Sequence, residues 1–265
     1  MNAGPGMPAP ALREDLRLAA LLGLAAALAT VALFPYLLQL MPDLRTKVRI
    51  ALPLLILLQA MQAGLLLTLL SLIGLRIGHR AGLGAPWLRA LLTGKPLPEL
   101  PWALSILAGI GAAFAVLGLS LLTDPYLPMR LQAPAVTAAG ATALNGFLAS
   151  FYGGIAEEIQ LRLFLTTLIV WLFARLSNKR PAVTVYWIAI IVAALLFGAG
   201  HLPAAAHVWP LDALVVARTI LLNAVAGVVF GWLYWKRGLE MAMLAHFSAD
   251  LILHVVAPVI SGANP

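Results

Sequence analysis

The sequence contains no cysteine among its 265 residues. Disulfide bonds, thiolate catalysis and cysteine-ligated metal centres are therefore excluded. Charge is also scarce, at 10% of the residues, whereas water-soluble domains carry about 25%. The formal net charge of +7 comes from basic residues in short loops, so no basic domain is present to bind nucleic acid.

The hydrophobic residues, 62% of the chain, form runs of about 20, which is the length that spans a bilayer. The short alternating strands of a transmembrane barrel do not appear. The sequence therefore predicts an all-α, polytopic transmembrane bundle of seven or eight helices, embedded in the lipid bilayer of the cell membrane. We expect one integral-membrane domain over residues 1–265, with disorder confined to residues 1–15, whose first part is rich in proline and glycine.

Seven apolar spans can be read from the sequence. They are residues 18–41, 50–77, 102–122, 143–175, 183–206, 211–235 and 239–260. A short helix that lies in the membrane interface is predicted at residues 86–92, between the second and third spans. The Gly153-Gly154 pair can kink or divide the long fourth span, which would add an eighth segment. Lysine and arginine are concentrated in the loops on one side, which places the N-terminus in the cytoplasm.

The fourth span contains three charged residues, Glu157, Glu158 and Arg162. Three ionised side chains cost roughly 7 to 10 kcal/mol at the centre of a membrane helix. Glu158 and Arg162 are spaced i,i+4 and therefore face each other as an ion pair. Glu157 lies about 100° around the helix and is left free for chemistry. The alternative interpretation is a buried ion-pair network that only fixes helix packing.

Two later spans also carry polar residues. His201 ends the fifth span, and a histidine in this place is often only interfacial or hydrogen-bonded. In the last span His246 and Asp250 are one helical turn apart on one face, and His254 lies a further turn along. Asp250 can also serve merely as a hydrogen-bond partner that orients His246. Serine-triad spacing and the HExxH and GxGxxG signatures are absent.

Hydrolysis by water is the chemistry that fits these residues. A carboxylate and a neutral imidazole, Glu157 and His201, can hold a water molecule and take its proton. A second histidine, His246, can donate a hydrogen bond to the oxyanion of a tetrahedral intermediate. A proton- or ion-coupled transporter is the rival interpretation, because it would use the same charged residues as a relay.

The three motifs resemble those of the CAAX protease and bacteriocin-processing (CPBP or Abi) family of intramembrane endopeptidases, which includes the type 2 CAAX prenyl endopeptidases. The motifs are Glu157-Glu158-x-x-x-Arg162, Phe197-x-x-x-His201 and His246-x-x-x-Asp250. They occur in the family's order on successive spans, and the resemblance covers residues 143–260, the expected catalytic core. It implies proteolysis of a membrane-associated protein or peptide. A member that has lost catalysis and acts as a scaffold or immunity protein is a further alternative.

The resemblance also implies a role for each site residue. Glu157 would activate water together with His201, and Glu158 and Arg162 would support the site. His246 and the residue at position 250, here Asp250, would form the oxyanion hole.

Asp250 departs from the characterised endopeptidases of the family, which have Asn at this position. An ionised Asp cannot donate a hydrogen bond to an oxyanion, so Asp250 is either protonated or orients His246. The family implies a mechanism without a cofactor. The residue set leaves a zinc site open, with ligands drawn from Glu157, His201, His246 and Asp250.

The predicted topology separates the two histidines along the membrane normal. His201 falls near the outer end of its span, whereas His246 falls nearer the inner end of the last span. We therefore expect the two side chains to meet only if their helices are tilted or broken.

Overall fold

The computed structural model describes residues 11–131, 139–177 and 179–261, which form helices and no strands. Seven helices are long and apolar enough to cross a membrane, and we number them in chain order. They are α1 (Leu12–Leu40), α2 (Leu52–Ala81), α3 (Trp102–Tyr126), α4 (Ala141–Ser177), α5 (Val183–Val208), α6 (Ala213–Arg237) and α7 (Leu239–Ile260). The predicted all-α polytopic bundle is confirmed, and the protein is a multi-pass integral membrane protein. The described residues contain no eighth span.

The start of α1 corrects the prediction of disorder over residues 1–15. The helix begins at Leu12, and Asp15 and Leu18 are fully buried. Asp15 accepts hydrogen bonds from Arg76 at 3.0 Å and from Arg89 at 2.5 Å. These contacts tie the first turn of α1 to the bundle, which explains why it is ordered. Residues 1–10 lie outside the described part of the chain.

A short helix forms at Pro86–Thr93, where the sequence predicts one at 86–92. The carboxylate of Glu240, at the start of α7, accepts a hydrogen bond from the backbone N–H of Leu88 at 2.8 Å. Backbone N–H groups in the first turn of a helix lack partners within the helix, so Glu240 supplies one from outside. The short helix is thereby joined to α7. Its location in the membrane interface stays a prediction.

Helix α4 is continuous, but it is widened at its centre. Residues Tyr152–Glu157 and Ile159–Thr166 have the π-helical hydrogen-bond pattern. The hydroxyl of Thr166 donates to the carbonyl of Leu161, five residues earlier, at 2.8 Å. The Gly153-Gly154 pair therefore lies in a wide turn, and α4 remains one helix of 37 residues. Such turns occur frequently at functional sites.

Close backbone contacts hold α3 against α7 and α6 against α5. A Cβ atom added at Gly109 of α3 would overlap the backbone carbonyl of Ala245 in α7. A Cβ atom added at Gly227 of α6 would lie 3.0 Å from that of Ala194 in α5. Small residues at such crossings let membrane helices approach closely. Since Ala245 precedes His246, this packing also sets the position of that histidine.

Candidate active site

The centre of the site is a buried ion pair on the widened part of α4. Nη1 of Arg162 lies 3.1 Å from Oε1 of Glu158, and both side chains are at most 1% exposed. Nη2 of Arg162 donates to the backbone carbonyl of Gly227 at 3.0 Å. The predicted i,i+4 pairing of Glu158 and Arg162 is confirmed. Mutual attraction and this extra hydrogen bond offset part of the desolvation cost of burying the charges.

Two phenylalanines enclose the Arg162 guanidinium. Its central carbon lies 5.3 Å from the ring centroid of Phe197 and 5.6 Å from that of Phe230. Cation–π attraction at such distances favours a desolvated guanidinium. The phenylalanines lie on α5 and α6, so Arg162 contacts two of the helices that pack against α4.

His246 is anchored to this pair. Its Nδ1 lies 2.8 Å from Oε1 of Glu158, and its ring stacks on Phe230 with a centroid distance of 4.5 Å. An ionised carboxylate only accepts hydrogen bonds, so Nδ1 carries the hydrogen. The opposite nitrogen, Nε2, therefore lies at the edge of the imidazole that points away from Glu158. This resembles the way in which a carboxylate fixes the tautomer of a catalytic histidine.

Two carboxylates flank Nε2 of His246. Oε2 of Glu157 and Oδ1 of Asp250 each lie 3.7 Å from it. Both separations exceed hydrogen-bond length, so the two carboxylates lie beside the imidazole without bonding to it. The Glu157 side chain is 22% exposed, whereas that of Glu158 is fully buried. The two glutamates thus differ as the helical spacing predicts: Glu158 is buried in an ion pair, and Glu157 lies outside that pair.

Gly153 makes the approach of α7 to α4 possible. A Cβ atom at this position would overlap the carboxylate of Asp250 and would lie 3.1 Å from Nε2 of His246. We expected the Gly153-Gly154 pair to bend or divide α4. Its observed contribution is instead to leave space for the polar side chains of α7.

His201 lies at the junction between the two parts of α5, Val183–Gly200 and Leu202–Val208. Its Nδ1 donates to the backbone carbonyl of Phe197 at 2.9 Å. Since a carbonyl only accepts, Nε2 of a neutral His201 is left as an acceptor. The ring orientation of His201 is therefore fixed, and no hydrogen bond from the described part of the chain occupies its Nε2.

The predicted topology separates His201 from His246 along the membrane normal, but the structure brings the two side chains close together. The Phe197 ring contacts both of them, with centroid distances of 4.7 Å to His201 and 5.6 Å to His246. The centroids of the two imidazole rings can therefore be no farther apart than the sum of these two distances. The helix break at His201 and the tilt of side chains towards the helix N-terminus account for this proximity.

The contacts of Glu157 differ in one respect from the sequence-based expectation. Its ion-pair contact is with His246, and among the described residues no ion pair joins Glu157 to His201. The proximity of both histidines to one phenylalanine places them in a common site. A direct partnership between Glu157 and His201 stays a prediction.

Sequence reasoning missed a contribution from α1. Oη of Tyr36 lies 3.5 Å from Nδ1 of His254, and Nε2 of His254 lies 3.9 Å from Oδ1 of Asp250. The sequence places His254 on the face of His246 and Asp250 without giving it a role. A single tyrosine near the end of an apolar span is typical of an aromatic belt, so no local signal marked Tyr36.

The sequence leaves a zinc site open, and the positions of the acidic and histidine side chains bear on it. Within residues 11–131, 139–177 and 179–261, no group of three or more His, Asp or Glu side chains is arranged to hold a metal ion. A catalytic zinc ion takes three protein ligands and a water molecule, with nitrogen and oxygen donors at about 2.0 to 2.2 Å. Independence from cofactors stays a prediction that chelation can test.

The arrangement has the parts that acid–base chemistry needs. It combines a partly exposed carboxylate, Glu157, with two imidazoles whose ring orientations are fixed by their Nδ1 hydrogens. The surroundings are buried and aromatic, so electrostatic interactions are stronger there than in water. The site can accept a proton from water and stabilise a developing negative charge.

Residues 139–252 match the family described as type II CAAX prenyl endopeptidase Rce1-like. The matched segment contains Glu157, His201 and His246, and it ends two residues after Asp250. No curated protein and no solved structure shows a significant match to the chain.

Proposed function

Because residues 139–252 match the Rce1-like family, we propose that this protein is a CAAX-type intramembrane endopeptidase with Glu157 as its general base. The family supports a CAAX-type intramembrane protease in general. The position of Glu157 carries the residue-level proposal. Its carboxylate is partly exposed and lies 3.7 Å from Nε2 of His246, whose other nitrogen is bonded to buried Glu158.

In the first step, Glu157 and His201 hold the attacking water. One hydrogen of the water faces the Glu157 carboxylate and the other faces the free Nε2 of His201. Glu157 removes a proton as the water oxygen bonds to the carbonyl carbon of the substrate, and the carbonyl electrons move onto its oxygen. A positioned base of this kind contributes about 10²- to 10⁴-fold to the rate.

His246 acts on the negative charge that forms on this oxygen. As an imidazolium it carries hydrogens on both nitrogens, so Nδ1 stays bonded to Glu158 while Nε2–H donates to the oxyanion. The negative charge of Glu158 stabilises the imidazolium. A donor of this type contributes about 10²- to 10³-fold.

The intermediate then collapses as the carbon–nitrogen bond breaks. Glu157 returns its proton to the departing amine and becomes a carboxylate again. The products are a new carboxyl terminus and a new amino terminus, and one water molecule is consumed. No cofactor takes part in this sequence of steps.

The seven helices form one integral-membrane domain in this proposal, with the catalytic core at residues 143–260. The substrate is a protein or peptide that the bilayer holds beside α4 and α7. The site lies among membrane-spanning helices, so a substrate that is anchored in lipid reaches it by lateral diffusion. We place the protein in the cell membrane.

Purified protein in liposomes tests this function on a peptide that ends in a prenylated cysteine followed by three residues. We expect release of the C-terminal fragment, and the same peptide without the prenyl group measures what the lipid contributes.

The His201→Gln variant should lower kcat about 100-fold, because the amide replaces the basic Nε2. The matched control is His207→Gln, since His207 is exposed on the same helix. Equal rates for wild type and His201→Gln would contradict the role of His201.

A further inference from the structure

A second polar arrangement begins where the catalytic site ends. Oδ1 of Asp250 lies between two imidazoles, 3.7 Å from Nε2 of His246 and 3.9 Å from Nε2 of His254. The far nitrogen of His254 lies 3.5 Å from the hydroxyl of Tyr36, and the two rings pack edge to face with centroids 5.5 Å apart. Tyr36, His254 and Asp250 thus form a row that connects α1 to the catalytic helix.

We propose that His254, held by Tyr36, is a positioning residue that binds the Asp250 carboxylate and keeps its charge away from the oxyanion. This inference rests on the proposed endopeptidase function. It assigns a role to Asp250 that does not require this carboxylate to donate a hydrogen bond.

The direction of the hydrogen bonds follows from the donors in the row. The phenolic hydroxyl of Tyr36 can donate to Nδ1 of His254. A neutral imidazole that accepts at Nδ1 carries its hydrogen on Nε2, which is the nitrogen that faces Asp250. Tyr36 therefore selects the tautomer of His254 that can donate to Asp250.

The charges explain why the site needs such a donor. An ionised Asp250 is close enough to His246 to compete with the oxyanion for its Nε2–H. It would also repel the oxyanion. A donor on the other side of Oδ1 draws the carboxylate towards His254 and leaves the Nε2–H of His246 for the substrate. The observed separations are longer than hydrogen bonds, and catalytic hydrogen bonds often tighten only when substrate binds.

A double-mutant cycle on the full-length protein in liposomes tests the proposal. Loss of one hydrogen bond to a charged group corresponds to a rate change of about tenfold or more. We therefore expect His254→Phe to lower kcat about tenfold with little change in KM. His254→Gln should recover part of this loss because its amide N–H can donate. Tyr36→Phe should have a smaller effect in the same direction.

The same His254→Phe substitution is then made in an Asp250→Asn background. A neutral amide needs no compensating donor, so we expect His254→Phe to change kcat less than twofold relative to Asp250→Asn alone. Interaction between neighbouring residues appears as such non-additivity. A purely structural role of His254 would lower kcat by the same factor in both backgrounds, and that result would overturn the proposal.

The outcomes separate this inference from the proposed function. If wild type cleaves the peptide and Glu157→Gln does not, but His254 and Asp250 behave additively, only the positioning role is wrong. If wild type does not cleave any tethered peptide, the endopeptidase function itself is wrong. His207→Gln serves as the histidine control, with unchanged kcat expected.

Discussion

Replacing Glu157 with glutamine is expected to lower kcat about 10³-fold while the protein stays folded. The amide cannot accept the proton of the attacking water, so the step that depends on general-base catalysis loses about 4 kcal/mol of transition-state stabilisation. The interaction exists mainly in the transition state, so KM should change little. Rates of peptide cleavage in liposomes at equal amounts of folded protein measure the effect.

The structure explains why this substitution spares the fold. Glutamine has nearly the same shape as glutamate, and the Glu157 side chain is 22% exposed with its ion-pair contact at 3.7 Å. Glu99→Gln is the matched control, because Glu99 is exposed in the loop before α3. Its kcat should equal that of wild type. A Glu157→Gln protein that retained more than a tenth of the wild-type kcat would contradict the assignment of the base.

The second large effect concerns the buried pair that holds His246. Arg162→Met should destabilise the protein by about 3 to 5 kcal/mol, because Glu158 would remain as a buried charge without its partner. This corresponds to a fall in Tm of about 10 °C. Thermal unfolding in detergent measures it. The exposed ion pair between Asp43 and Lys47 provides the control, and Lys47→Met should leave Tm nearly unchanged.

Removing both partners separates stability from catalysis. In an Arg162→Met, Glu158→Leu double variant no charge of this pair is left in the core, so most of the lost stability should return. The activity should stay about 100-fold below wild type, because Nδ1 of His246 has lost the carboxylate that orients it. Recovery of both Tm and kcat would show that Glu158 does not position His246.

The bundle itself could be predicted because hydropathy and span length determine it. A run of about 20 apolar residues has few alternatives to a membrane helix, and all seven predicted spans are present. The first turn of α1 was missed because its order depends on Arg76 and Arg89, which are distant in sequence. The wide turns of α4 were missed for a similar reason, since their hydrogen-bond pattern depends on tertiary packing.

The site was partly predictable. Helical spacing was sufficient to pair Glu158 with Arg162, because both residues lie on one helix. The meeting of His201 and His246 through Phe197 depends on how two helices cross, and no local pattern encodes that crossing. The position of Asp250 between two histidines, and the arrival of Tyr36 from α1, depend on the same long-range packing.

Peptide hydrolysis must be distinguished from proton or ion transport, because a proton- or ion-coupled transporter would use the same charged residues. Mass spectrometry of a membrane-tethered peptide after incubation with proteoliposomes tests it most directly. We expect two fragments whose masses sum to that of the peptide plus one water, at a rate that a chelator leaves unchanged and Glu157→Gln abolishes. An intact peptide, together with proton flux into the same liposomes that Glu157→Gln abolishes, would contradict it.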